Sequence, residues 1–294
     1  MGYHYGWKRD RLDARDRLLT VSASVMAALP DKVDLRPQCP PVVDQGNLGS
    51  CTANAIGNAH RFAQKKQGSK ADFLPSRLFI YYNERAMEGT IGIDAGAEIR
   101  DGIKSIALQG VCPETSWPYV ISKFTTKPDT KCYAEALNYQ ALLYQKVPQT
   151  LDAMRGALAA GLPFVLGFSV YESFESDIVE RTGQMPMPKL TEQLLGGHAV
   201  LVVGYDMVKK VFIVMNSWST SWGDKGYFYM PMDFATNPDY AADFWTVQNV
   251  EIVDAPKPTP TPTPAPTPPA NLRTVTIGNQ VLYVDRTVPV NVGS

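Results

Sequence analysis

The sequence predicts an α+β chain built as two lobes, one helical and one of antiparallel strands. Helical patterns crowd the first half of residues 31–254, and apolar runs rich in Val, Ile and Phe crowd the second. Elements segregated in this way pack as separate α and β layers rather than as alternating βαβ units. The composition agrees: of 294 residues, 45% are hydrophobic and 19% charged, enough apolar material for a sizeable core. Two such lobes usually meet at a cleft, where ligand sites concentrate.

The first helix is predicted over CTANAIGNAHRFAQKK (51–66), where Ala55, Ala59 and Phe62 recur at helical spacing and Ser50 is available as N-cap. Ser76 is placed to cap a second, RLFIYYNERAM (77–87). A third is AEIRDGIKSIALQ (97–109), with Ile99, Ile103 and Ile106 on one face and Gly110 past its end. Strands follow at PFVLGFSVY (163–171), HAVLVVGYD (198–206), KVFIVMNSW (210–218) and GYFYMP (226–231).

The flanks differ from this middle. Residues 1–30 are polar and Arg/Asp-rich, and read as an arm or short pro-segment rather than a core element. Within them LLTVSASVMAALP (18–30) ends in small residues like a secretory signal. It starts late, however, and is diluted by Thr20, Ser22 and Ser24, so the compartment stays open. Residues 255–270 form a Pro/Thr-rich linker, extended because proline fixes φ and lacks a donor; at ~3.1 Å per residue it spans on the order of 40 Å. Beyond it, residues 271–294 carry TVTIGNQVLYV, two short strands around a Gly278-Asn279 turn.

Charge excludes some functions. With 28 basic against 29 acidic residues the formal net charge is −1, unlike a nucleic-acid binder, whose affinity rests on clustered Lys and Arg. No run of about 18 apolar residues is present to span a membrane. The four cysteines form no CxxC pair and there are three histidines, so a zinc site would need unusual ligands at unsupported spacing.

Cys51 opens the first predicted helix, behind the turn DQGNLGS (44–50). Backbone N–H groups and the helix dipole there favour negative charge and lower a thiol's pKa toward the reactive thiolate. A thiolate nucleophile needs a base, and histidine supplies one near neutral pH. His60 lies further along the same helix, about 13 Å away at ~1.5 Å per residue, and does not reach Cys51. His4 belongs to the arm. His198 opens an apolar strand behind Gly196 and Gly197, whose missing side chains let a peptide backbone approach, and is the workable partner. Asn216 follows the next apolar run, so antiparallel neighbours bring it beside His198. Its amide oxygen, accepting from Nδ1–H, would set the ring's tautomer and direction. Trp218 and Trp222 come next and shield that bond, or simply pack the core. Gln45 precedes Cys51 closely enough for its side-chain NH2 and the Cys51 backbone N–H to hold an oxyanion; losing one such donor costs ~2.7–4 kcal/mol.

In that order and near that spacing, Gln45, Cys51, His198 and Asn216 resemble the papain/cathepsin cysteine peptidases. VDLR (33–36) resembles the start of their mature domain and DQGNLGSC (44–51) their oxyanion-glutamine and nucleophile segment. GGHAVLVVGY (196–205) is similar to the histidine strand, and NSWSTSWGDKGYFYM (216–230) to the asparagine segment and the strand after it. Cys51 and His198 are separated by about the 130–150 residues typical of that family. The resemblance covers residues 31–254 and implies a papain-like two-lobed fold: a helical left lobe, an antiparallel β-barrel-like right lobe and the active-site cleft between. It implies a monomeric peptidase acting on peptides or proteins, without cofactor, secreted or lumenal as is usual in the family. Cys51 would form a thioester, His198 would act as acid and base, Asn216 would orient it, and Gln45 would hold the oxyanion. Gly196, Gly197, Trp218 and Gly96, the last within a weak match (DAG, 94–96) to the family's Gly-rich substrate strand, would line the substrate path. Trp222 and Ser50 would support it.

There are departures. Thr52 stands where the family usually has Trp or Tyr, and Leu48 replaces a cysteine, removing a familiar disulfide. Cys112 and Cys132, flanking WPY (117–119), are the expected pair. The N-terminal arm is shorter than the helical pro-segments of cathepsins, and its Tyr3, Tyr5 and Trp7 suit insertion into the cleft as a self-inhibitory segment. Two other readings stay open at this stage: an exopeptidase or amidase, distinguished by end-trimming, and a catalytically silent peptide-binding module, for which Thr52 argues and the four intact site residues do not.

Overall fold

Helix α2 (Cys51–Lys66) has the bounds that its apolar spacing predicts, and it is buried along nearly its whole length. The computed structural model describes residues 4–68 and 72–251, and the backbone of 272–277 and 280–285. Tyr3, the linker 255–270 and the Gly278-Asn279 turn lie outside the described residues. Two compact units are present, Met1–Lys257 and Pro258–Ser294.

In chain order the first unit holds β1 (Trp7–Lys8), α1 (Ala23–Ala27), β2 (Lys32–Asp34), α2, α3 (Arg77–Glu88), β3 (Ala97–Glu98) and α4 (Ile99–Leu108). Then come α5 (Thr130–Ala136), β4 (Ala141–Lys146), α6 (Leu151–Ala159), β5 (Phe164–Tyr171) and α7 (Asp177–Thr182). The series closes with β6 (Leu194–Asp206), β7 (Val211–Met215), β8 (Tyr227–Pro231), α8 (Met232–Thr236) and β9 (Ala241–Val250). Ser76 caps α3 as expected, its Oγ accepting from Phe79 N at 3.1 Å. The third expected helix is shorter than its pattern: Ala97 and Glu98 are extended, and α4 starts at Ile99.

A seven-stranded sheet runs in the order β4-β9-β5-β6-β7-β8, with β2 on β6 and every pairing antiparallel. Helix α2 packs against β6 and β9, and α3 and α4 pack against α2. Phe62, Phe79, Ile103, Phe164, Leu201 and Trp245 belong to one buried core shared by helices and sheet. This is the mixed α+β, papain-like two-lobed architecture.

The N-terminal segment departs from the expectation of a weakly patterned arm outside the core. Trp7 and Leu19 are both buried in it. Trp7 and Lys8 pair in parallel with Ala97 and Glu98, and Leu19 N donates to the Lys146 carbonyl at 2.7 Å. Between these anchors Arg100 binds Asp13 and Asp16. In the second unit β10 (Leu272–Ile277) and β11 (Gln280–Asp285) form an antiparallel pair, Leu272 opposite Asp285 and Ile277 opposite Gln280.

Candidate active site

The turn before α2 is held by its own backbone. Gly46 N donates to Asp44 Oδ1 at 2.8 Å, and Gly49 N to the two oxygens of Asp94 at 3.1 and 3.0 Å. Asp94 also accepts from the Tyr81 hydroxyl, whose oxygen takes the Gly96 N–H at 3.2 Å. One carboxylate thus ties the turn carrying Cys51 to the segment leading into β3. Ser50 is the N-cap residue of α2, but its side chain does not cap. Its backbone (φ −97, ψ 23) is not the extended form that aims a hydroxyl at the helix, and Oγ instead pairs with the Tyr119 hydroxyl at 2.6 Å. Thr52 reaches inward, its Oγ1 donating to Glu84 Oε1 at 2.6 Å.

The first four residues of β6 are at least partly exposed; His198 is the first that is buried. Asn216 directly follows β7, the antiparallel neighbour of β6, and the two side chains meet, His198 Nε2 to Asn216 Oδ1 at 2.8 Å. Ser217 N also donates to that oxygen, at 2.8 Å, which identifies it as the amide's acceptor and makes His198 Nε2 the protonated nitrogen. The nitrogen expected in this contact was Nδ1. The observed tautomer leaves Nδ1 bare and without a hydrogen-bond partner among the described residues. The imidazole is stacked on Trp218 at 4.7 Å, and Trp222 meets Trp218 edge-on at 5.1 Å.

Gln45 is fully buried. The Ser217 hydroxyl donates to its Oε1 at 2.6 Å, which turns Nε2 to donate to the carbonyls of Leu48 at 3.0 Å and His4 at 3.1 Å. Ser217 escaped sequence reasoning, although its place directly after Asn216 was the available signal.

A peptide crosses the site, and it is the chain's own arm. The His4 carbonyl lies on the Gln45 amide, and the Gly6 N–H, with those of Ala199 and Thr52, lies near enough to the Cys51 sulfur to favour its thiolate. Ala97 N donates to the Gly6 carbonyl at 2.7 Å. The three glycines singled out in the sequence line this path. A Cβ on Gly96, whose φ is +66, would meet the Gly6 oxygen at 2.0 Å; one on Gly197 would meet the Trp7 oxygen at 2.5 Å and one on Gly196 the Tyr5 Cβ at 2.7 Å. The Tyr5 ring sits edge-on to His198 at 6.2 Å and its hydroxyl binds Glu175, while Trp7 Nε1 donates to Asp243 at 3.1 Å.

Beneath the arm both reactive groups are neutral. Burial pushes the Cys51 thiol up to about 12, against the pull of the Ala199 and Gly6 N–H groups. Burial likewise pushes His198 down to about 4, against its bond to Asn216. Charge separation into thiolate and imidazolium is therefore suppressed while the arm is seated.

The other candidates are structural. His60 is buried with Nε2 on the Tyr139 carbonyl at 2.9 Å. The expected Cys112–Cys132 disulfide is absent: all four cysteines are free thiols. These two thiols are neighbours, and Cys132 Sγ donates to the Ser116 carbonyl at 3.5 Å. Among the described residues no cluster of His, Cys, Asp or Glu is arranged to hold a metal ion, and no helix is long and apolar enough to cross a membrane.

Residues 29–243 match the model of the papain family of cysteine proteases. The chain is 43% identical over 271 residues to an uncharacterised peptidase C1-like protein of Acanthamoeba polyphaga mimivirus, covering 84% of this chain and 87% of that one. It is 30% identical over 226 residues to cysteine proteinase 2 of Entamoeba histolytica, covering 72% of this chain and 68% of that one. Among solved structures it is similar to xylellain, a cysteine protease from Xylella fastidiosa, with a TM-score of 0.80 and 43% identity over 84% of this chain and 96% of that one. The chain belongs to the papain family of cysteine proteases, and is a hydrolase of that family.

Proposed function

We propose that the chain is an endopeptidase held latent by its own N-terminal arm. The observation that carries this reading is the seat of that arm, with the His4 carbonyl on the Gln45 amide and the Gly6 carbonyl on the Ala97 N–H. A groove that takes polypeptide running past the nucleophile on both sides suits internal cleavage better than trimming of ends.

Withdrawal of the arm readmits water, and the thiolate–imidazolium pair becomes favourable. The bare Nδ1 of His198 takes the Cys51 proton, and the sulfur attacks the scissile carbonyl carbon. The resulting oxyanion is held by Gln45 Nε2 and the Cys51 N–H. Nδ1–H then protonates the leaving amine as the C–N bond breaks, leaving a thioester. Water, losing a proton to Nδ1, attacks that thioester and releases the acid with the thiol restored. Asn216 keeps the ring aligned through Nε2–H, and Ser217 keeps the Gln45 amide aimed outward.

The test is turnover of an unbiased peptide library by the full chain and by Cys51→Ala, with reductant, at acidic and neutral pH, read by mass spectrometry. Internal cuts made by the first and absent from the second are expected, with a lag that ends when the arm is clipped or displaced. Cuts that persist in Cys51→Ala, or only end-trimming, would overturn this reading.

A further inference from the structure

The wall of the groove beside β3 is acidic, and the arm is what neutralises it. Lys8 Nζ sits 2.8 Å from Glu88 Oε2, on a carboxylate whose side chain is only 4% exposed. Arg11 Nε lies 2.8 Å from Glu98 Oε1 and its Nη2 3.4 Å from Asp101 Oδ2; these side chains are 10% and 7% exposed. The second Glu88 oxygen accepts from Glu98 N at 2.7 Å, joining the carboxylates into one patch.

Behind it stands Glu84, fully buried. One of its oxygens accepts from Thr52; the other, Oε2, has no hydrogen-bond partner among the described residues. Glu88 and Asp101 both act on this carboxyl. Of the neighbouring cations of the globular part, Arg85 is engaged elsewhere, whereas Arg100 stays beside Asp101. Arg85 donates to the carbonyls of Tyr81, Ile91 and Ile93, and Arg100 is held by Asp13 and Asp16, 3.8 Å from Asp101.

When the arm leaves, Glu88 and Glu98 lose Lys8 and Arg11 together while Asp101 keeps Arg100, and two unpaired carboxylates are left facing the groove. A wall in that state favours any ligand that returns a cation to it. We infer that this wall is a cation-selecting subsite, and that the preferred substrates are peptides with Lys or Arg at the position lying along Ala97–Glu98. The arm gives the distance, since the carbonyl on Gln45 is that of His4 and the ammonium on Glu88 is that of Lys8. The subsite therefore reads a side chain about three to four residues from the scissile bond, at the ~3.3 Å per residue of an extended chain. This inference rests on the groove being the peptidase's substrate groove.

The experiment uses the full chain carrying Trp7→Ala to open the groove. Quenched fluorogenic peptides place Lys, Arg, norleucine or Glu at each of the positions flanking one scissile bond. The expected result is kcat/KM at least about tenfold higher for Lys and Arg than for norleucine at one position, the scale of one charge-assisted contact. Glu88→Gln and Glu98→Gln should each shrink that ratio, with the loss in KM rather than kcat. If those variants fail to fold, raising salt from roughly 0.05 to 0.5 M with the unsubstituted wall should shrink it instead, because exposed ends of such pairs are screened.

Turnover with no cationic preference, or a preference that survives both substitutions and high salt, overturns the subsite and leaves the carboxylates as a latch for the arm alone. No turnover of any peptide, by a chain whose Cys51 reacts freely with an alkylating agent, overturns the peptidase reading on which the subsite rests.

Discussion

Trp7→Ala should unseat the arm, and the structure sets the size of the effect. The indole is buried to 8% residual exposure, and it lies over Gly167 so closely that a Cβ there would meet its Cε2 at 2.0 Å. An aromatic ring of this size buries about 150–250 Å², which at ~25 cal/mol per Å² amounts to about 4–6 kcal/mol. The bond from Nε1 to Asp243 adds ~1 kcal/mol. Measured truncations of buried aromatics cost about 3–5 kcal/mol, and the lower end of that range applies because the site is lined by glycines that can close up. At ~1.4 kcal/mol per factor of ten, the open population should rise about 10²- to 10³-fold. The assay is the rate at which iodoacetamide alkylates Cys51 in the native chain, followed by peptide mass spectrometry, which tracks the open fraction when closing is fast. Cys39, buried with its thiol on the Leu35 carbonyl at 3.4 Å, is the internal control for global unfolding. Acceleration of Cys51 with Cys39 unchanged is expected. No acceleration, or equal acceleration of both, would refute the account of how the arm is held.

Other consequences can be measured with the same tools. Gly6→Ala should also open the groove, since the new Cβ would meet the Gly49 carbonyl oxygen at 1.7 Å; Cys51 alkylation should rise at least about tenfold, the equivalent of ~1.4 kcal/mol. In an arm-opened chain, Gln45→Ala should lower kcat about 10²- to 10³-fold, as oxyanion donors do. Ser217→Ala should lower kcat by only about two- to tenfold, the worth of the one bond that aims the glutamine, with KM little changed. The arm should also respond to pH. Burial, reinforced by the neighbouring Asp243, raises Asp10 from 3.8 to about 7, so the seated arm binds more protons than a free one across that window. Seating is therefore firmest in acid and loosens as pH rises from about 4 to 7, and the Cys51 alkylation ratio of wild type to Asp10→Asn should climb across that interval.

The parts of this molecule legible in the sequence are those in which side-chain type sets position. Ala55, Ala59 and Phe62 fix one face of α2, and the apolar runs of β5, β6 and β7 can only be interior strands. Antiparallel pairing of β6 with β7 then carries Asn216 to His198. Strand β9 escaped because Asp243, with φ +61, interrupts its alternation where its pairing with β5 shifts register. The arm was legible through Tyr5 and Trp7 but not in its decisive contacts. Those are made by the His4 and Gly6 carbonyls, and backbone groups leave no trace in residue identity. The same holds for the choice of His198 Nε2 over Nδ1, which depends on how the strand end tilts the ring. The neighbouring Cys112 and Cys132 mark another limit, because proximity of two thiols does not by itself make a bond.

The arm is fastened on both sides of Leu12, before it from Gly6 to Arg11 and after it from Asp13 to the bond of Leu19 with Lys146. Between them Leu12 is 96% exposed. In the proposed latent state the arm is a tethered ligand with an effective concentration in the ~mM range. One scission near Leu12 turns it into a free peptide that must compete at its bulk concentration, about a thousandfold lower in a micromolar solution. Under the proposed function, a single cut there would convert an intramolecular stopper into a dilutable one while the segment on Lys146 stays in place.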